Sequence, residues 1–143
     1  MEKYYEELLK LMDKASKKDE VPVAALIVKD GKIIGKAHNE RRKKNDVLGH
    51  AEILSVKKAE KKLGDWRLDG CDMYVSLEPC SMCTEIIRQT RIRNVYYVTK
   101  KLDFKKEYYK TNICSCDDIL NTQEIKVFNN KLTEFFKRKT NRN

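Results

Sequence analysis

The chain has 143 residues, is 41% hydrophobic, and carries five glycines and two prolines. That is the size and make-up of a single folded domain, residues 1–143, and not of a disordered or fibrous chain. Its 31 basic residues against 22 acidic ones leave a net charge of +9, which fits either a polyanionic partner such as nucleic acid or simply a well-solvated surface.

The longest apolar run, Val21 to Val28, is far shorter than the roughly 20 residues needed to cross a bilayer. The charged N-terminus "MEKYYEELLKLM" has none of the features of a signal peptide. A cytoplasmic protein with no membrane partner is therefore expected, with its five cysteines kept as thiols and not paired in a disulfide framework.

In chain order, Met1, Tyr4, Tyr5, Leu8, Met12 and Ala15 recur at helical spacing and predict an amphipathic N-terminal helix. "VPVAALIVKDGKIIGKAH" reads as two apolar strands joined by a tight turn at Asp30-Gly31. "ERRKKND", Glu40 to Asp46, reads as a charged loop. A helix is predicted from His50 to Leu63, apolar at Ala51, Ile53, Leu54, Val56, Ala59 and Leu63. "DMYVSL" is a strand, and Pro79 is placed at the first position of a helix running to Gln89. "NVYYVT" is a further strand, "EIKVF" a short last one, and "NKLTEFFKRK" a basic closing helix. Strands alternating with helices after a hairpin predict a three-layer α/β domain with a mixed sheet.

Two short stretches carry chemistry. In "GHAEILS" a histidine and a glutamate stand two apart at a helix start. In "LEPCSMC" two cysteines stand three apart after a proline, so their sulfurs can converge on one ion. A helix N-terminus favours thiolate over thiol, and His50 heads its own helix. Cys80, Cys83 and His50 make three ligands, and a catalytic zinc keeps its fourth position open where a structural zinc fills it. This soft set suits zinc better than magnesium or calcium. Glu52, near the same helix end, is placed to take and return a proton from a metal-activated water. The bland alternatives are a surface cap for His-Ala-Glu, and a redox pair or half a structural zinc knuckle for Cys-x-x-Cys. A knuckle would draw its fourth ligand from Cys114 or Cys116. The combined pattern, H-x-E with P-C-x-x-C, is the signature of zinc nucleobase deaminases.

With those motifs, and with "VPVAALIV", "HNE", "HAEILSV", "DWRLDGCDMYVSLEPCSMC", "RIRNVYY" and "LTEFFKRK", the chain resembles the bacterial tRNA-specific adenosine deaminases (the TadA family) of the cytidine/deoxycytidylate deaminase superfamily. The resemblance implies a cytidine-deaminase-like α/β/α fold with a central five-stranded mixed sheet, and a homodimer. It implies one zinc ion per subunit on His50, Cys80 and Cys83, with Glu52 as proton shuttle. The implied reaction is hydrolytic conversion of adenosine to inosine at wobble position 34 in a tRNA anticodon stem-loop, an arginine tRNA being the expected substrate. Asn39 matches the asparagine that binds the flipped nucleoside, Val21 a pocket wall, and Ala51 a backbone contact to the base. Phe135 and Phe136 match aromatic residues near the anticodon loop, or else one of them is core. Lys137, Arg138 and Lys139 then read as phosphate contacts.

The match departs from the family after Thr99, where "TKKLDFKKEYYKTNICSCDD" replaces an Arg-Asp segment and a Lys-Thr-Gly-type loop. Lys101 falls where the family has aspartate, unless Asp103 serves in a shifted register. Lys100, Lys101, Lys105 and Lys106 read as phosphate contacts or as a solvated loop, and Tyr108 and Tyr109 as core packing or base stacking. Two other readings remain open: a free-base guanine or cytosine deaminase, which would have little use for the basic last helix, and a non-catalytic zinc-stabilised RNA-binding module.

Overall fold

A computed structural model of the protein describes residues 2–101 and 111–140. The chain divides into two units, residues 1–103 and residues 104–143. The first is built on a four-stranded sheet in the order β2-β1-β3-β4. Its central strand β1 (Ala24–Lys29) pairs antiparallel with β2 (Lys32–His38) on one side and with β3 (Cys71–Leu77) on the other. β3 in turn pairs in parallel with β4 (Asn94–Thr99), the last strand of the sheet among the described residues.

β1 is a continuous apolar run because both of its faces are covered. On one face, Ala24, Leu26 and Val28 meet Leu8 and Leu11 of helix α1 (Lys3–Lys17), with Tyr4 and Tyr5 stacking on Tyr74. On the other face, Ala25, Ile27, Met73 and Val75 pack with Ala51, Val56 and Ala59 of α3 (Ala51–Leu63) and Ile87 of α4 (Ser81–Gln89). Each large aliphatic side chain buried there contributes on the order of 1.5–3 kcal/mol. The helices therefore flank the sheet as the expected outer layers.

Two glycines do specific work here. Asp30 and Gly31 both have positive φ, 50° and 75°, as a two-residue turn between twisted strands requires. At Gly35 a Cβ would lie 2.4 Å from the Ser55 carbonyl oxygen, so its absence lets α3 lie directly on β2.

Several expectations need correction. Glu40 to Asp46 is not all loop, since Arg41–Lys44 forms a one-turn helix, α2. Pro79 precedes the N-cap Cys80 and does not occupy the first helical position. The sheet has four strands among the described residues, where the resemblance implied five. "EIKVF" is not a strand: Glu124–Phe128 lies inside α5 (Thr122–Thr140) of the second unit. The alternation Ile125, Val127 looked strand-like, but Ile125, Phe128, Leu132 and Phe135 also keep helical spacing. Asn121 and Glu124 settle the matter with a reciprocal capping box: each side-chain oxygen accepts the other residue's backbone N–H, at 2.9 and 3.0 Å.

The starts of β3 and β4 are tied by Asp72, whose carboxylate accepts Arg93 Nε at 3.1 Å, Arg93 Nη2 at 2.9 Å and Asn94 Nδ2 at 3.0 Å. The bond from Arg93 holds the Asp72 carboxyl below its usual range. A group lowered in the folded state adds stability above its unfolded pKa of about 3.9, and that stability is lost as pH falls through the lower folded value. Asp72→Asn is expected to lower Tm by about 2–4 °C at pH 7. In thermal melts across pH, the gap to the native protein should stay constant down to pH ~5 and close below pH ~4.

Candidate active site and metal centre

The site forms where α3 and α4 begin. His50 is the N-cap of α3 and Cys80 the N-cap of α4, both in extended backbone, while Cys83 sits in α4's first turn and is fully buried. Residues thirty positions apart thus meet. His50 Nδ1 lies 3.5 Å from Cys83 Sγ and 3.9 Å from Cys80 Sγ, and all three donor atoms fall within 4.8 Å of one another. Bonds of about 2.3 Å to sulfur and 2.0–2.1 Å to nitrogen at a tetrahedral angle put N and S roughly 3.6 Å apart. The observed spacing fits a zinc-sized ion, and the three residues make a possible His/Cys/Cys metal site.

Of the three groups, Cys80 alone is shifted toward its ligand form. Cys80 is pulled down to about 3, first by a hydrogen bond from Cys83 and then by one from His50. The same sharing pushes the Cys83 thiol up, helped by burial. His50 is raised by its bond to Cys80. Cys80 is thus biased toward thiolate, and a cation binding here would displace the protons that Cys83 and His50 favour keeping.

Glu52 follows two residues after His50, in α3's first turn, and only 4% of its surface is exposed. Burial is the main force raising its carboxyl, which favours holding a proton more than an exposed glutamate would. Glu52, His50 and Cys80 line a cleft of about 540 Å³, within the range of small-molecule sites.

The expected residues Val21, Asn39 and Ala51 line the same cleft, as does Lys101. Lys100 is exposed and outside the lining. Asn39 is oriented by the backbone: its Oδ1 accepts the Arg41 N–H at 2.9 Å and its own N–H donates to the Val23 carbonyl at 2.9 Å. With its oxygen engaged, the amide has its N–H₂ donors left for a ligand. Phe135, Phe136, Lys137 and Arg138 lie on α5 of the second unit. There Phe135 and Phe136 are exposed and meet edge to face. Asp103, Lys105, Lys106, Tyr108 and Tyr109 lie outside the described residues.

Three residues of the site escaped the sequence reading. Buried Glu20 accepts the backbone N–H groups of Arg42 and Lys43, at 3.0 and 2.8 Å, and so caps α2 from 22 residues upstream. Glu78 accepts the Lys101 N–H at 3.1 Å and braces the cleft's rim. Gly49 lies against the 40–41 backbone, where a Cβ would come within 2.6 Å of Arg41 Cα. The "LGH" glycine was a visible signal for a close approach next to a ligand. Nothing local marks Glu20 or Glu78, whose partners are distant in sequence.

A metal-type His/Cys/Cys set beside a buried glutamate, at helix starts on a mixed sheet, defines the nucleobase-deaminase class of site. More narrowly, the model of the MafB19-like deaminases matches residues 1–140, and the chain belongs to that family. It is 48% identical over 83 residues to the tRNA-specific adenosine deaminase of Agrobacterium fabrum, covering 58% of this chain and 55% of that protein. It is 43% identical over 96 residues to that of Bacillus subtilis, covering 67% and 60%. The chain thus spans less than two thirds of the length of these relatives. Among solved structures, it matches one from work on A-to-I editing by tRNA:A34 deaminases at the wobble position of transfer RNA, with TM-score 0.67 and 42% identity over 70% of this chain and 73% of that one. It also matches guanine deaminase from Bacillus subtilis, with TM-score 0.74 and 26% identity over 93% and 95%.

Two outcomes are expected. Cys83→Ser or His50→Ala should weaken zinc binding by more than about 100-fold, read by competition with a chromophoric chelator, while Cys114→Ser leaves it unchanged. Gly49→Ala should push the 40–41 backbone away from His50, lowering Tm by several degrees and zinc affinity about 10- to 100-fold.

Proposed function

We propose that the protein is a zinc-dependent hydrolase that converts adenosine to inosine at wobble position 34 of a tRNA, with an arginine tRNA as the first substrate to test. The observation that carries this reading is the convergence of His50, Cys80 and Cys83 beside buried Glu52, opening on a cleft large enough for a base. Three ligands and an adjacent proton carrier suit hydrolysis better than a filled structural metal. The high identity to proteins named tRNA-specific adenosine deaminases supports the choice of substrate. So does the net charge of +9.

Zinc held by the three ligands, one ion per subunit, supplies Lewis acidity that lowers the pKa of water in the site. Overall, the water oxygen bonds to C6 of adenine, the bond from C6 to the amino nitrogen breaks, and ammonia leaves. Glu52 takes one proton from water and places it on N1 of the ring, then takes the second from the hydroxyl left on C6 and delivers it to the departing nitrogen. Desolvation of its carboxyl makes it a proton carrier and not a permanent anion. Asn39 offers its amide N–H groups to the base, and Val21, Val23 and Leu77 present apolar walls to the ring. An unpaired anticodon base needs little unstacking to enter such a pocket. On this reading residues 1–143 act as one deaminase domain, in the cytoplasm where tRNA is handled, and as a homodimer by family resemblance. Phe135, Phe136, Lys137 and Arg138 are assigned to the anticodon loop on the same basis.

A free-base guanine deaminase is the second reading, favoured by a structural match that extends over 93% of the chain. Both are tested at once. Zinc-loaded protein is incubated with an arginine tRNA bearing A34, or with guanine, and inosine is read by sequencing and ammonia by a coupled assay. Inosine is expected from the tRNA, with Glu52→Gln reducing the rate by about 10²–10⁴-fold. Ammonia from guanine without inosine would replace the first reading by the second.

A further inference from the structure

A second cavity, of about 250 Å³, is lined in part by residues next in sequence to those that line the cleft. Consecutive residues alternate between the two: Lys18, His38 and Glu40 line the second, while Asp19, Asn39 and Arg41 line the first. The second cavity collects five lysines from separate parts of the fold. Lys14 comes from α1 and Lys18 from its C-cap, Lys36 from β2, Lys44 from α2 and Lys58 from α3. Glu40 is the one carboxylate in its lining.

Two of these lysines are partnered: Lys36 Nζ lies 2.8 Å from Glu7, and Lys44 Nζ lies 3.0 Å from Glu40. Lys58 donates to the Lys36 carbonyl at 3.0 Å, and Lys18 Nζ sits 3.4 Å from buried His38 Nε2. Among the described residues, Lys14, Lys18 and Lys58 form no ion pair. The C-terminal end of α1 favours cations on its last turn, which accounts for Lys14 and Lys18 but not for Lys58 brought across from α3. Five ammonium groups against Glu40 in the lining and Glu7 beside it leave the concavity with an excess of positive charge, a field that recruits an anion.

Size and lining narrow the class. The cavity is smaller than the roughly 300–1,000 Å³ of small-molecule sites, it is lined by no Phe, Tyr or Trp, and its one ring, His38, is buried and held by Asn39 and Lys18. Lysine binds phosphate as a flexible point charge. We propose that this lysine-rimmed cavity holds a backbone phosphate of the RNA whose target base occupies the active cleft. The inference rests on the deaminase reading for the identity of that RNA. The alternating residues 38–41 then serve both sites, Asn39 and Arg41 lining that of the base and His38 and Glu40 that of the chain's phosphate.

The test compares three zinc-loaded proteins that differ from the native one at surface lysines. The first carries Lys14→Gln, Lys18→Gln and Lys58→Gln. A control loses the same charge elsewhere, through Lys10→Gln, Lys61→Gln and Lys62→Gln, and the third carries arginine at positions 14, 18 and 58. Affinity for a fluorescently labelled tRNA anticodon stem-loop is measured by anisotropy over a series of salt concentrations. This readout does not depend on turnover, so a protein that makes no inosine but keeps the expected binding pattern would fail the deaminase reading alone. The cavity variant should bind several-fold more weakly with a salt slope reduced by about 1, as for one lost phosphate contact. The arginine variant should restore both, and the control should move neither. Equal losses in the cavity and control variants would overturn the proposal, leaving only the general charge of the protein. Competition by inorganic phosphate at fixed ionic strength, with an unchanged RNA slope in the cavity variant, would also overturn it by assigning the cavity to a free anion.

Discussion

The site depends on one packing constraint: α3 and α4 must lie side by side on the same face of the sheet, with their N-termini together. Small residues make this possible. Ala51 and Ala59 of α3 are fully buried against Ala25 and Ile27, and Gly35 leaves room for the helix backbone to touch β2. Interiors packed this closely transmit displacement instead of absorbing it. A shift of α3 by a fraction of an ångström would therefore move His50 away from the cysteines. The 3.5 and 3.9 Å separations of the donor atoms are a consequence of the apolar core below them.

The polar side of the cleft is held differently. Residues 38–50 contain only one turn of helix, so their backbone groups need partners from elsewhere. Glu20 supplies two acceptors for α2, Asn39 supplies one for Arg41, and Glu40 donates its N–H to the Gly49 carbonyl. Local hydrogen bonds thus fix a segment that no hydrophobic face could fix. Residues of that segment line both the cleft and the lysine-rimmed cavity.

Electrostatics follow from the same arrangement. The hydrogen bonds of Cys83 and then His50 lower Cys80 toward the thiolate, and the helix start adds the Cys83 backbone N–H. Glu52 lies in the first turn of α3, where burial raises its carboxyl instead. Two acidic groups of one site are thereby pushed in opposite directions, Cys80 toward the thiolate and Glu52 toward the protonated acid.

Much of this was legible in the sequence because it is written in short-range patterns. The helical periodicity of residues 4–15, the Asp30-Gly31 turn, and H-x-E with P-C-x-x-C each depend on neighbours a few positions apart. The misreading of Glu124–Phe128 arose because apolar residues at 125, 127 and 128 satisfy period 2 and period 3.6 alike in so short a segment, and the Asn121–Glu124 box that decides it lies at the segment's edge. Composition, local periodicity and ligand spacing are local properties, so the sequence alone determined most element types, the candidate His/Cys/Cys ligand set and the deaminase resemblance. The tertiary structure alone decided that His50 meets Cys80 and Cys83 at ligand distance. It also decided that Glu20 caps a helix 22 residues away and that lysines from α1, β2, α2 and α3 share one cavity. Those contacts depend on how the elements pack, and sequence separation carries no trace of that geometry.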